Sequence, residues 1–169
     1  MSKNIVLVGM PASGKSTIGV ILAKELKYRF TDTDLVLQEA TDQTLVEIIA
    51  QRGLEGFLQL ENDTVAALEV RRSVIATGGS VIYGREAIEH LKANGIIVYI
   101  RHRYEVIQSR LTNITTRGVA MREGETLYDL FRERTPLYER YADVTLEADG
   151  LTTEQAVQEI IRLVNDFTA

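Results

Sequence analysis

Five strand-like runs recur along the chain, and each but the last is separated from the next by stretches of helical periodicity. Ile5-Val6-Leu7-Val8 is the first, and Ile96-Ile97-Val98-Tyr99-Ile100 is the longest. Neither alternates with polar residues, which is how strands covered on both faces read. Residues 28–31, 74–77 and 144–146 are the other three. Between them the apolar spacing changes to three or four. Residues 17–26 place Ile18, Ile21, Leu22 and Leu26 on one helical face. A short helix is expected over 35–40. Thr44 and Glu47 form a capping box that opens a helix over 45–52, which Gly53 ends or turns. Further helices are expected over 55–70, 85–93 (stopped by Asn94-Gly95), 104–111 and 125–134. Thr135-Pro136 then either kinks the last of these or starts a new helix at a Pro. Thr152 or Thr153 caps a final helix with Ala156, Val157, Ile160, Ile161 and Val164 turned to the core. Strands alternating with helices predict an α/β fold on a parallel sheet. With 169 residues and no repeat, low-complexity run or linker, the expectation is one domain over 1–169.

The chemistry starts where the first strand ends. Gly9-Met10-Pro11-Ala12-Ser13-Gly14-Lys15-Ser16-Thr17 fits G-x-x-x-x-G-K-[ST], a phosphate-binding loop set between a strand and a helix. Glycines at 9 and 14 let backbone N–H groups close around phosphate oxygens. The helix that follows adds unpaired donors and the positive end of its dipole. Gly9, Ala12, Ser13, Gly14, Lys15, Ser16 and Thr17 are therefore the expected contacts to a nucleoside triphosphate. Lys15 reaches the β- and γ-phosphates, and the Ser16 hydroxyl is placed to ligate Mg²⁺.

Asp32 and Asp34 close the second strand. In an open parallel sheet, ligands sit at the carboxyl ends of strands. One carboxylate there can assist Mg²⁺, directly or through water, while the other meets a substrate hydroxyl. Either could instead simply cap the next helix. Gly78-Gly79-Ser80 lies at the same edge after the third strand, where glycines permit close approach to a ligand or merely turn the chain. Residues 112–124 carry Arg117 and Arg122, two glycines and little periodicity. They read as a lid that brings an arginine to the phosphates, or as a solvated linker.

Bulk properties narrow the partners. The formal net charge is −5, and no basic tract stands out, so nucleic-acid binding is not expected. There are no cysteines, hence no disulfide framework or thiolate metal site. His90 and His102 stand alone and read as surface or core residues. The apolar run after Lys3 is too short for a signal peptide or membrane span, so the expected setting is the cytoplasm, with no membrane partner.

In order along the chain, the loop at 9–17, Asp32-Thr33-Asp34, Ala76-Thr77-Gly78-Gly79, the region of Arg110 and Arg117, and Arg134-Thr135-Pro136-Leu137-Tyr138 together resemble the shikimate kinase family. The resemblance runs from Ile5 to about Asp143. It implies a three-layer P-loop kinase fold: a five-stranded parallel sheet, helices on both faces, an acceptor-binding helical region about 33–61 and a lid about 112–124. It implies ATP and Mg²⁺, and the conversion of shikimate to shikimate 3-phosphate by a monomer. By position, Lys15 holds phosphates, and Ser16 and Asp32 serve the metal. Asp34 binds the accepting hydroxyl and either orients or deprotonates it. Gly78, Gly79 and Ser80 line the acceptor pocket. Arg110 lies against the adenine, Arg117 closes from the lid, and Arg134 pairs with the acceptor.

Three positions depart from the family pattern. Phe-Arg-x-x-Glu is here Phe57-Leu58-Gln59-Leu60-Glu61, so Leu58 replaces the arginine that grips the shikimate carboxylate. Arg-Pro-Leu-Leu in the lid is Arg117-Gly118-Val119-Ala120, and the third glycine of Gly-Gly-Gly is Ser80. All three touch the acceptor side. Losing a charged hydrogen-bond partner for a buried carboxylate costs about 2–5 kcal/mol. Two alternatives therefore stand beside shikimate: a kinase of the same fold for another small polyhydroxy compound, and a nucleotide-binding regulator that transfers nothing.

Overall fold

The central strand of the sheet is the first in the chain. In a computed structural model that describes residues 3–112 and 117–169, β1 (Asn4–Val8) lies between β3 (Ser73–Ala76) and β4 (Gly95–Arg101). Ile5 pairs with Val74 on one side and with Ile96 on the other. β2 (Arg29–Asp32) extends the sheet past β3, and β5 (Val144–Glu147) past β4. The order is β2-β3-β1-β4-β5, all parallel. The chain therefore builds outward on one side of β1 and then on the other. That reversal opens a crevice at the carboxyl end of β1, where ligands bind in such sheets.

Both faces of the sheet are covered, as the unbroken apolar runs require. Ile5 and Leu7 join Val74, Val98, Ile100 and Leu146 under α1 (Lys15–Leu26) and α7 (Thr153–Thr168). Val6 and Val8 point the other way, with Ile75, Ile97 and Tyr99, against α3 (Leu45–Ala66), α4 (Arg85–Asn94) and α6 (Leu127–Tyr141). A third cluster of Leu37, Ile48, Phe57 and Ala120 joins α2 (Thr33–Thr41) to the first half of α3. α5 (Tyr104–Arg110) follows β4. Among the described residues no helix is long and apolar enough to cross a membrane.

Two boundaries differ from expectation. The helix expected to run to residue 70 ends at Ala66. The reason lies in β1: the Asn4 side-chain amide donates to the Val70 carbonyl and accepts from the Ser73 N–H, pulling that segment toward β3. The stop expected at Gly53 is present: its φ of 72° and ψ of 175° are non-helical and divide α3 into two helical segments. Pro136 does not restart a helix; α6 runs from Leu127 to Tyr141 with Pro136 inside it. Pro removes one backbone bond, while Arg134 and Tyr138 on either side are fully buried and Tyr138 stacks on Tyr99.

Candidate active site

The loop after β1 and the start of α1 behave as the sequence implies. Lys15 is 8% exposed, and its ammonium donates to the Gly9 and Met10 carbonyls, each at 2.8 Å. Burial lowers its pKa to about 8, although Asp34 opposes the shift. Gly14 precedes α1 with no side-chain cap, and the first turn carries no acidic residue. Its N–H groups and dipole are thus left for an anion.

Asp32 caps α2 with one oxygen and meets Ser16 with the other. Its Oδ1 accepts from the backbone N–H of Asp34 and Leu35 and caps α2. Its Oδ2 accepts from the Ser16 hydroxyl at 3.1 Å. A serine hydroxyl and a carboxylate oxygen held together suit Mg²⁺, which takes one or two protein oxygens and fills its shell with phosphate and water. Asp34 sits in the first turn of α2, whose start is tied to the turn after β3: the Gly78 N–H donates to the buried Thr33 hydroxyl at 3.1 Å. Burial first, and the Asp32 charge second, raise the Asp34 carboxyl to about 6, against the pull of Lys15.

Gly78 and Gly79 are held to glycine by their neighbours. A Cβ on Gly78 would stand 2.7 Å from Glu61 Oε2 and 2.8 Å from Asp34 Oδ1. On Gly79 it would stand 2.8 Å from an Arg134 guanidinium nitrogen. The two carboxylates and the guanidinium therefore converge on this turn. Glu61 is 2% exposed; Oε1 accepts from the Ser80 hydroxyl at 2.7 Å, and Oε2 has no partner among the described residues. Burial pushes its carboxyl up to about 7. Arg134 is 1% exposed and donates to the Ala120 carbonyl at 2.7 Å, its plane near Tyr83. Its Nε is unbonded, and it forms no ion pair among the described residues. A buried cation in that condition is costly unless a ligand supplies the anion.

A cavity of about 430 Å³ brings the predicted residues together. Ala12, Ser13, Gly14, Lys15, Ser16, Thr17, Asp32, Asp34, Gly78, Gly79, Ser80, Arg110, Arg117 and Arg134 all line it. Gly9 does not line it and acts through its carbonyl on Lys15. Ser80 borders the cavity, but its hydroxyl is committed to Glu61. Of the expected lid, residues 113–116 lie outside the described residues. Its second part, with Arg117, Gly118, Val119 and Ala120, forms one wall, and Gly118 packs against Leu45 at the start of α3.

Known proteins resemble this chain in sequence and in fold. The sequence model of the family described as Shikimate kinase matches residues 11–165. The chain belongs to the shikimate kinase family. A shikimate kinase of Thermodesulfovibrio yellowstonii is 36% identical over 163 residues, which is 95% of this chain and 94% of that protein. The structure of shikimate kinase from Acinetobacter baumannii in complex with shikimate superposes with a TM-score of 0.88 at 30% identity, covering 98% of this chain and 94% of that one. Shikimate kinase from Aquifex aeolicus gives 0.85 at 30% identity, with 98% of both chains covered.

Within this family pattern, the position that departs most is displaced from the cavity. Leu58 does not line it. Leu58 instead walls a neighbouring space of about 400 Å³ with Leu54, Tyr83, Ala120 and Arg122. Ala120 borders both spaces. Sequence reasoning passed over Glu61, although it is the glutamate of the same Phe-x-x-x-Glu stretch. It also took His102 for an ordinary histidine. His102 is buried, as a core residue would be, but its ring reaches the phosphate loop, with Nε2 3.0 Å from the Ser13 carbonyl.

Proposed function

We propose that this chain transfers the γ-phosphoryl group of ATP to a ring hydroxyl of shikimate. The observation that carries the reading is Arg134, a buried guanidinium without an ion pair among the described residues, in the same cavity as the phosphate loop and Asp34. One cation held for one carboxylate, opposite a carboxylate held for a hydroxyl, suits a small hydroxy acid.

In this reading the loop N–H groups and Lys15 hold the β- and γ-phosphates. Ser16 and Asp32 would hold Mg²⁺, which when bound offsets charge on the phosphate oxygens. Asp34 orients the accepting hydroxyl and takes up its proton as the new O–P bond forms. The bond from the γ-phosphorus to the β-phosphate oxygen breaks, and ADP leaves with the electron pair. Arg117 approaches the transferring group from the lid, Arg110 lies beside the adenine, and Gly78 and Gly79 let the acceptor approach the backbone. The same reading makes the protein a cytoplasmic monomer that acts on small molecules alone.

Leu58 favours a second reading, a different hydroxylated acceptor with less negative charge. A coupled assay of ADP release with shikimate, and with a panel of polyols and sugar acids, decides between them. Turnover at sub-millimolar shikimate is the expected result. Turnover only with another acceptor would move the assignment to the second reading. Nucleotide binding with no acceptor-dependent ADP would refute both.

A further inference from the structure

His102 lies between β4 and α5, 6% exposed, and both of its ring nitrogens meet acceptors. Nδ1 is 2.8 Å from Asp149 Oδ1, and Nε2 is 3.0 Å from the Ser13 carbonyl oxygen. A backbone carbonyl only accepts. Asp149 also only accepts while ionised, and it takes two further N–H groups from Arg103, at 3.1 and 3.0 Å. Burial alone would raise its carboxyl, but the hydrogen bonds from His102 and Arg103 outweigh burial and hold it below the usual range. A neutral imidazole has one N–H and cannot donate both ways. Arg110 is the other charged group facing the ring, with a guanidinium nitrogen 3.4 Å from Nε2 and 3.3 Å from the Ala12 carbonyl.

We infer that His102 is a positioning residue of the phosphate-binding loop, held as an imidazolium between the Asp149 carboxylate and the Ser13 carbonyl. The peptide between Ser13 and Gly14 is planar and trans, so its C=O and N–H point in opposite directions. Fixing the Ser13 carbonyl on His102 turns the Gly14 N–H toward the phosphate side of the loop. Ala12, one residue earlier, has a left-handed φ of 64°, and Arg110 holds its carbonyl. Two successive carbonyls are thus drawn out of the loop by cations, which leaves its N–H groups facing in. When His102 loses its proton, the Nε2 lone pair faces the Ser13 oxygen and the two repel. The ring then has Arg110 as its donor, and the loop is released.

The inference rests on residues 9–17 being the phosphate loop, and ADP binding tests it without any acceptor. Calorimetric titration of ADP with Mg²⁺ across pH 5.5–9 is compared between the native chain and His102→Gln. In the native chain, affinity falls about tenfold over the range in which the His102 ring titrates by ¹⁵N NMR, and the variant lacks that step. Ionisations of ADP itself appear in both proteins and cancel. At the pH where ADP binds most tightly, the NMR spectrum shows both His102 nitrogens protonated. An unprotonated Nε2 at the pH of tightest ADP binding, or parallel affinity profiles in the two proteins, overturns the proposal; the NMR result needs no variant to fold. Absence of any ADP binding to the native chain would overturn the phosphate-loop reading and this inference with it.

Discussion

Replacing Glu61 with Gln should stabilise the free protein, and the gain should depend on pH. Glu61 is buried, one of its oxygens has no partner among the described residues, and its carboxyl titrates at about 7 instead of 4.5. Between these values the folded chain keeps a proton that the unfolded chain has released. Stability therefore falls as pH rises through that window and stays lower above it. At 1.36 kcal/mol per pH unit, the difference takes about 3 kcal/mol from the folded state. Gln keeps the carbonyl that accepts from Ser80 and does not titrate. The variant should match the native chain near pH 4 and exceed it by about 3 kcal/mol at pH 8, or about 6–12 °C in Tm for a chain of this size. Urea unfolding at four or five pH values, without nucleotide, measures this directly. Asp34 titrates in both proteins, so its contribution largely cancels. Equal stabilities at pH 8 would mean that Glu61 is ionised and satisfied in the fold, and the reasoning would fail.

Lys15→Met should lower kcat about 100-fold or more, since it removes a cation aimed at the transferring phosphate; a loss of less than tenfold would remove Lys15 from the catalytic set. The pH profile of kcat/KM should be bell-shaped. Asp34 must be ionised to take a proton, so activity falls below about 6, and Lys15 must be charged, so it falls above about 8. Asp34→Asn should retain only a small residual activity and lack the acid limb; an unchanged acid limb would place that titration elsewhere. Leu58→Arg should lower KM for shikimate about ten- to a hundredfold by restoring a second guanidinium for the carboxylate. An unchanged KM would show that residue 58 does not reach the acceptor.

The phosphate end of the site was legible because it is one contiguous turn. Its chemistry is backbone N–H, a glycine pattern and a lysine, all within residues 9–17, and the strand before it was plain from Ile5 to Val8. Asp32 and Asp34 were legible as a pair at a strand end, though that Asp32 divides its two oxygens between the helix cap and Ser16 needed coordinates. The acceptor end is of another kind. It is assembled from α2, α3, the turn after β3 and α6, each giving one or two side chains. The contacts that set its chemistry, Ser80 to Glu61 and Gly78 to Thr33, span 19 and 45 residues. His102 and Ser13 are 89 residues apart, and no local spacing marks them as partners. Periodicity also had no means of weighing Asn4, whose side chain ends α3 four residues early.

That difference bears on the three departures read in the sequence, all of them at the candidate acceptor end. In a contiguous loop, changing one residue disturbs the path of its neighbours and the whole anion site fails. In an assembled pocket one element can change while the others stay. Leu58 stands where the resemblance to the family leads one to expect an arginine, while Glu61, one helical turn on, and Arg134, from α6, are present. Each keeps a buried polar atom without a partner among the described residues, Glu61 Oε2 and Arg134 Nε. Unmet buried groups of opposite sign around one glycine turn are expensive in the free protein, by about 1–3 kcal/mol each. A ligand that presents a hydrogen-bond donor to one and an acceptor to the other relieves both. The acceptor that this chain selects should therefore be defined less by the missing arginine than by how well it satisfies Glu61 and Arg134 together.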